Sequence, residues 1–225
     1  MSVVRFTDVV PPPPRAGWPG PISFQVEEGS FTLFATTPGV ALSLIRLIVG
    51  LREPAEGRVE VLGQRPGRLN RWDTQTFRRR LGVGFDEPSG LVSNLTLRMN
   101  LVVPMLYSGL ADADTAHERA AAIIDRCDLG RWADFRPADV PPEVRQEAVL
   151  ARAVVRDPEL LILEEPTAGL RDERAKWLLS LCRERADTTI VTTAEQEGVP
   201  FGTADSVVHI DHTGIETTSH EVGVV

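Results

Sequence analysis

Lysine is almost missing. The chain of 225 residues holds one, Lys176, and arginine supplies the other positive charges. A lysine-gripped phosphate site elsewhere in the chain is therefore excluded, whatever the loop around it looks like. Cysteine is scarce too. Cys127 and Cys182 are too few for a disulfide framework or a cysteine metal site, and they fit a reducing compartment. Basic balance is lacking, with a net charge of -8, which argues against nucleic acid as a partner. Arg78, Arg79 and Arg80 form the only dense basic run, and it reads as a solvated helix end before it reads as a binding patch. No long apolar run exists: the best stretch, Leu95 to Leu110, is broken by Arg98, Asn100 and Pro104 and makes a poor membrane span. The opening MSVVRFTDVVPPPP has no charged region followed by an apolar core, so no secretory leader is expected. His117, His209, His212 and His220 lack ligand spacing.

What remains, 42% hydrophobic residues, suffices for one domain with a sizeable core. Its most informative stretch is Leu150 to Leu170. Val144, Ala148, Ala151 and Val155 recur at helical spacing. Arg152 and Arg156 suit the negative end of that helix, and Asp157-Pro158 stops it. Leu160 to Leu163 is apolar without alternation, as in a central parallel strand covered on both faces. Glu164 and Glu165 then fall at the strand's carboxyl end, where open α/β sheets bind ligands. Two acids there are candidate functional groups, weighed against two solvated loop acids.

The segment VVRDPELLILEEPTAGL resembles the Walker B region of ABC-type ATPases, and EEGSFTLF, SLIRLIVGLREPAEGRVEVLG, RRRLGVGF and ADSVVHID follow that family's order. The resemblance implies an α/β fold of the P-loop NTPase type: a mostly parallel central sheet, an antiparallel β part and a helical insertion. It implies one domain over 1–225, with 1–85 and 146–225 as the core and 86–145 as the helical subdomain. By the same resemblance Glu165 stands at the catalytic base position, and Glu164 replaces the magnesium-ordering Asp. Asp86, in Asp86-Glu87-Pro88, stands where the family has Gln. It is a cation ligand or a solvated acidic turn.

Along the chain, Val3 to Val10 reads as an edge strand ended by Pro11 to Pro14. Trp18, near the family's adenine-stacking position, reads as a packing residue. Ile22 to Glu27 and Phe31 to Ala35 are strands. The second enters Thr36-Thr37-Pro38-Gly39-Val40 and a buried helix, Ala41 to Val49, closed by Gly50. Strand, loop and helix have the geometry of a phosphate loop, but G-x-x-x-x-G-K-[ST] is absent and the lysine position falls at Ala41. Thr36, Thr37, Gly39 and Ser43 are the remaining candidates for weak anion binding at the helix N-terminus.

Arg58 to Leu62 and Leu81 to Phe85 are further strands. Leu91 to Leu110 and Thr115 to Leu129 read as a helical insertion, with Thr115 and Glu118 as a capping box. In the family the nearby surface receives a helix of the transmembrane subunit, so Leu101 to Tyr107 either lines that groove or fills the subdomain core. DVPPEVRQ, Asp139 to Gln146, stands where the family has LSGGQ. Pro141 and Pro142 remove two amide donors there, and Glu143 brings negative charge, so an ordinary helix start is the better reading. Thr193 takes the place of the family's phosphate-sensing His. Helix Arg171 to Ala186, strands Thr188 to Thr192 and Ser206 to Asp211, and a loose polar tail from Thr213 complete the chain.

The expectation is a pseudo-ATPase with no cofactor of its own, structural or regulatory in a membrane transport complex. It would be cytoplasmic, held at the membrane's inner face by a transmembrane subunit, and paired with itself or another such subunit. The alternatives are a divergent, active MgATPase using Glu164 and Asp86 at its metal, and a soluble interaction module that keeps the fold.

Overall fold

Two separate cores explain the architecture. In this computed structural model, which describes residues 1–15, 17–85, 90–193 and 204–219, a six-stranded sheet lies between them. Its order is β5 (Leu81–Gly84), β6 (Leu160–Glu164), β7 (Thr188–Thr193), β3 (Phe31–Thr36), β8 (Ser206–Asp211) and β9 (Gly214–Ser219). All neighbours are parallel except β8 and β9. In β6, Leu161 and Leu163 enter one core while Leu160 and Ile162 enter the other. A strand so placed must be apolar on both faces, which is why its sequence does not alternate.

One core is closed by α3 (Leu97–Ser108), α4 (Ala113–Arg126), α5 (Pro142–Val154) and α6 (Asp172–Arg185). The other is closed by α1 (Pro38–Ile48), α2 (Arg71–Arg79) and a three-stranded antiparallel sheet of order β2 (Ile22–Glu27), β1 (Ser2–Val10), β4 (Glu56–Val61). The connection after α1 turns at Gly50, at φ 70°, and a Cβ there would meet the Pro66 carbonyl oxygen at 2.7 Å. Both the backbone angle and the close approach require glycine.

Four expectations are corrected. Val3 to Val10 is not an edge strand: β1 is the middle strand, with Val4 opposite Val26 on one side and Val61 on the other. The helix expected from Thr115 begins at Ala113, because the Asp112 carboxylate accepts the Thr115 amide at 2.9 Å. That acid at the positive helix end takes the role assigned to Thr115 and Glu118. The helix expected from Leu91 begins only at Leu97. Buried Asn100 accepts the Val92 amide at 2.7 Å and donates to the Val92 and Thr96 carbonyls, which holds the residues before the helix in a turn. The tail is not loose over its first part: Gly214–Ser219 forms β9, joined to β8 by a two-residue turn in which the Asp211 carboxylate accepts the Thr213 amide at 2.7 Å. The rest of the tail, with His220, lies outside the described residues, as do Asp86 to Ser89 and Ala194.

Candidate functional site

The parallel strands bring the predicted residues to one edge of the sheet. Ala35 pairs with Thr193, and Glu164 with Thr192, so the ends of β3, β7 and β6 lie side by side. Thr36 ends β3, Glu164 ends β6, and Thr193 ends β7. This is the carboxyl edge where such sheets place ligands. Asp86, expected at the same edge after β5, lies outside the described residues.

At the end of β3 the chain turns straight into α1. Thr37 is its N-cap but makes no side-chain capping bond, and Pro38 occupies the first helical position. Pro38 has no amide to offer, and the Val40 amide is given to the Thr37 carbonyl at 3.0 Å. Of the first three helical residues, only Gly39 keeps an amide not bound to that carbonyl. The Ser43 hydroxyl donates to the Gly39 carbonyl at 2.8 Å. Among the described residues, the buried Thr36 hydroxyl oxygen has no hydrogen-bond partner. Ala41, at the counted lysine position, is 2% exposed and faces the protein interior.

The connection between β1 and β2 lies over this helix. A Cβ added to Gly17, at φ 74°, would sit 3.0 Å from the Thr37 hydroxyl oxygen and 3.5 Å from a Val40 methyl. Pro11 to Pro14 form a small crevice with Ser43, Arg46, Leu47 and Arg52. The connection is tied to itself: Arg15 Nε donates to the Pro11 carbonyl at 3.2 Å, and the Trp18 amide to the Arg15 carbonyl at 2.9 Å. Trp18 Nε1 donates to the Val9 carbonyl at 3.2 Å while its ring packs on the β1–β2 core, as a packing residue should.

Glu164 and Glu165 are both half-buried at the end of β6. Glu165 takes a left-handed backbone conformation, φ 44°. Its carbonyl accepts Gln146 Nε2 at 3.0 Å and the Ala168 amide at 3.1 Å. Gln146, the last residue of DVPPEVRQ, is buried, so the start of α5 is bound directly to the turn that carries Glu165. Among the described residues, no group of three His, Cys, Asp or Glu side chains is placed to hold a metal ion.

Leu101 to Tyr107 divides by face. Leu101, Val102 and Met105 are buried in the core, whereas Val103, Pro104 and Tyr107 line a cleft of about 580 Å³ between α2, α3 and α5. Arg71, Arg78, Arg79, Arg152 and Arg156 also line it. Burial pushes the Arg152 guanidinium below the ordinary arginine range, and burial plus the nearby Arg152 and Arg79 charges do the same to Arg156. The basic run is thus no simple solvated helix end: Arg78 and Arg79 face this cleft, and Arg80 pairs with Glu159. Sequence reasoning missed Gln146, Asn100, Gly17 and this cleft. The buried amides stood among ordinary helix residues, and the cleft draws on segments far apart in the chain.

Comparison with known proteins fits this geometry. Residues 20–168, more than half of the chain, match the family model described as "ABC transporter". The chain is 30% identical over 179 residues to methionine import ATP-binding protein MetN 2 of Paraburkholderia xenovorans, covering 78% of this chain and 46% of that protein. It is 29% identical over 164 residues to cell division ATP-binding protein FtsE of Haemophilus influenzae, covering 72% of this chain and 74% of that one. It therefore spans about half the length of the methionine importer component and about three quarters of the cell division protein. An ATP-binding cassette solved as a dimer with ADP and phosphate superposes with a TM-score of 0.80 at 19% identity, over 99% of this chain and 100% of that one. Among the described residues no helix is long and apolar enough to cross a membrane. By that family match over residues 20–168, the chain belongs to the ABC transporter ATP-binding domain family.

Proposed function

We propose that this protein is a non-hydrolysing member of its family, a structural or regulatory subunit of a membrane transport complex. The observation that carries the reading is the start of α1. Pro38 withholds an amide, Ala41 turns inward where a phosphate-binding lysine is expected, and the Gly17 segment rests on Thr37 and Val40. Tight triphosphate binding needs several converging amides and a cation at that point. Thr36, Thr37, Gly39 and Ser43 do not supply that set, so MgATP does not fit the site as built. Without a held substrate, Glu165 has no water to activate, since phosphoryl transfer depends on positioning and electrostatic stabilisation.

In this reading residues 86–145 form the helical subdomain on a core of 1–85 and 146–225, and the cleft beside α3 receives a transmembrane subunit at the cytoplasmic face. The protein pairs with a second copy or with another such subunit. The carboxylates favour a second reading, a divergent MgATPase, because Glu164 and Glu165 share the sheet edge with Thr36. Calorimetric titration with ATP, with and without magnesium, separates the two. The first reading expects no saturable binding at millimolar ATP. Saturable, magnesium-dependent binding followed by turnover that is lost in Glu165→Gln overturns it.

A further inference from the structure

Positive charge is concentrated in one stretch of an acidic chain. Residues 46–80 carry nine arginines against four acids, a net +5 that leaves -13 for the rest of a chain of net -8. The fold gathers much of this stretch on one surface. Arg52, Arg58, Arg65 and Arg68 line a single shallow crevice, and Arg52 also borders the neighbouring crevice that Arg46 lines. The turn Pro66–Arg68 lies flush on residues 52–53, since a Cβ added to Gly67 would sit 3.0 Å from the Glu53 Cα. Arg71 and Trp72 follow as the first two residues of α2.

The acids of the stretch do not cancel this charge. Glu53 pairs with Arg68, and Glu60 with Arg58. The Asp73 carboxylate accepts Asn70 Nδ2 at 2.6 Å in the first turn of α2, where the positive helix end also favours it. Among the described residues Arg46, Arg52, Arg65 and Arg71 form no ion pair. Like charges held together repel one another, so the surface gains nothing from its own arrangement and attracts an anionic partner.

An indole stands in the same surface. Trp72 is 77% exposed, and among the described residues its ring meets no aromatic or cation and its Nε1 makes no hydrogen bond. The other tryptophans are engaged: Trp18 with the Val9 carbonyl, Trp132 with Phe135, and Trp177 with Arg174. An unpacked indole flanked by unpaired guanidinium groups matches the boundary between water and lipid. There the ring enters the headgroup layer, its N–H meets headgroup oxygens, and each arginine fork takes a phosphate. A nucleic acid also offers phosphates, but a strand longer than this surface runs onto the acidic remainder of the molecule. A bilayer is touched by one face alone.

We propose that the surface formed by Arg52, Arg65, Arg68, Arg71 and Trp72 contacts an anionic lipid bilayer directly, with no membrane subunit between them. The arginines supply the attraction and Trp72 the insertion. The inference goes beyond the proposed function and holds whether or not the chain binds ATP.

The test is co-sedimentation of the full chain with vesicles at about 0.1 M salt, where charges within about 10 Å still act. One set holds phosphatidylglycerol and phosphatidylcholine in equal parts, the other phosphatidylcholine alone. The chain is expected to bind the anionic vesicles about tenfold or more tightly. Arg65→Gln with Arg71→Gln should weaken that binding about tenfold, each arginine near an anionic surface contributing to the affinity. Neither side chain makes a hydrogen bond or ion pair among the described residues, so the double variant keeps its fold. Arg131→Gln with Arg136→Gln, equal in charge change and exposed on the other side of the chain's acidic part, should bind as the parent does. Tryptophan emission should shift to the blue on anionic vesicles, and Trp72→Phe should abolish the shift. Equal binding to both vesicle types, or none at millimolar lipid, overturns the proposal. So does an equal loss in the two double variants, which would make net charge the cause, or a blue shift that persists in Trp72→Phe. Displacement of the vesicles by a DNA oligonucleotide at equal phosphate concentration overturns it too, in favour of a polyphosphate surface. ATP binding in the separate calorimetric titration would defeat the proposed function and leave this result intact.

Discussion

Gln146 holds Glu165. The buried amide of the first donates at 3.0 Å to the backbone carbonyl of the second, and Glu165 sits in the left-handed region, φ 44°. That conformation costs a non-glycine residue about 1–2 kcal/mol, so the surroundings must impose it. Gln146, reaching from the first turns of α5 across to the end of β6, is one element that does so, and the Ala168 amide binds the same carbonyl at 3.1 Å. Replacing it with alanine removes the donor and leaves a void. Gln146→Ala is expected to lower the unfolding free energy by about 2–3 kcal/mol. Urea denaturation measures this, and an unchanged midpoint would show that Glu165 is held by something else.

Restoring the family's lysine should not restore its grip. Ala41 is 2% exposed on the inner side of α1, where Val40, Leu44 and Ile45 are also buried. A lysine at that position must either bury its ammonium group or push the helix outward. Ala41→Lys is expected to cost about 3 kcal/mol or more and to leave ATP binding undetectable. A stable variant that binds ATP in calorimetry would mean that α1 can present this position to phosphate, contrary to the burial of Ala41.

Much of this was legible because burial writes periodicity into sequence. The run Leu160 to Leu163 announced a strand covered on both faces, and the two cores that take its alternate side chains explain it. The helix after Thr37 and its stop at Gly50 were legible for the same reason. Single hydrogen bonds were not. Asp112 outcompetes Thr115 for the start of α4, and Asn100 holds residues 92–96 out of α3, through contacts that leave no periodic trace. Nor did β1 look central, since an alternating strand reads the same whether one neighbour pairs with it or two. At the candidate site the chain's single lysine, Lys176, could be read directly, whereas the Gly17 contact on Thr37 and the arginine cleft depend on how distant segments meet.

The two cysteines should be chemically silent in the native protein. Cys127 and Cys182 are both buried, and burial pushes each thiol up to about 12, with Arg174 and Arg126 only partly countering this at Cys127. The thiolate is the reactive form, so at neutral pH almost none is present. Iodoacetamide at pH 7.5 is expected to leave the folded chain unlabelled and to add two groups in denaturant. Labelling of either cysteine at native conditions would show that the core around α4 and α6 opens readily.

Arg80 and Glu159 make a pH-dependent tie between the end of α2 and the approach to β6. Two bonds of 2.7 and 2.6 Å join the guanidinium to the carboxylate, and the Glu159 amide also donates to the Arg80 carbonyl at 3.0 Å. The side-chain bond from Arg80 holds the Glu159 carboxyl below the ordinary glutamate value of 4.5. A carboxylate depressed in the folded state stabilises the protein above its unfolded pKa, and that contribution is lost as pH falls through the folded value. The side chains are 31% and 45% exposed, so water screens the pair and its worth is at most about 1 kcal/mol. Glu159→Gln keeps the backbone bond and removes the charge. Its deficit against the parent chain is therefore expected near pH 7, to shrink at high salt, and to close as the pH is lowered below 4.5. Exposed acids elsewhere, such as Asp112 and Asp134, titrate alike in both proteins and cancel from the difference. A deficit that persists unchanged into the acid range would place the role of Glu159 in packing or in its backbone, and not in its charge.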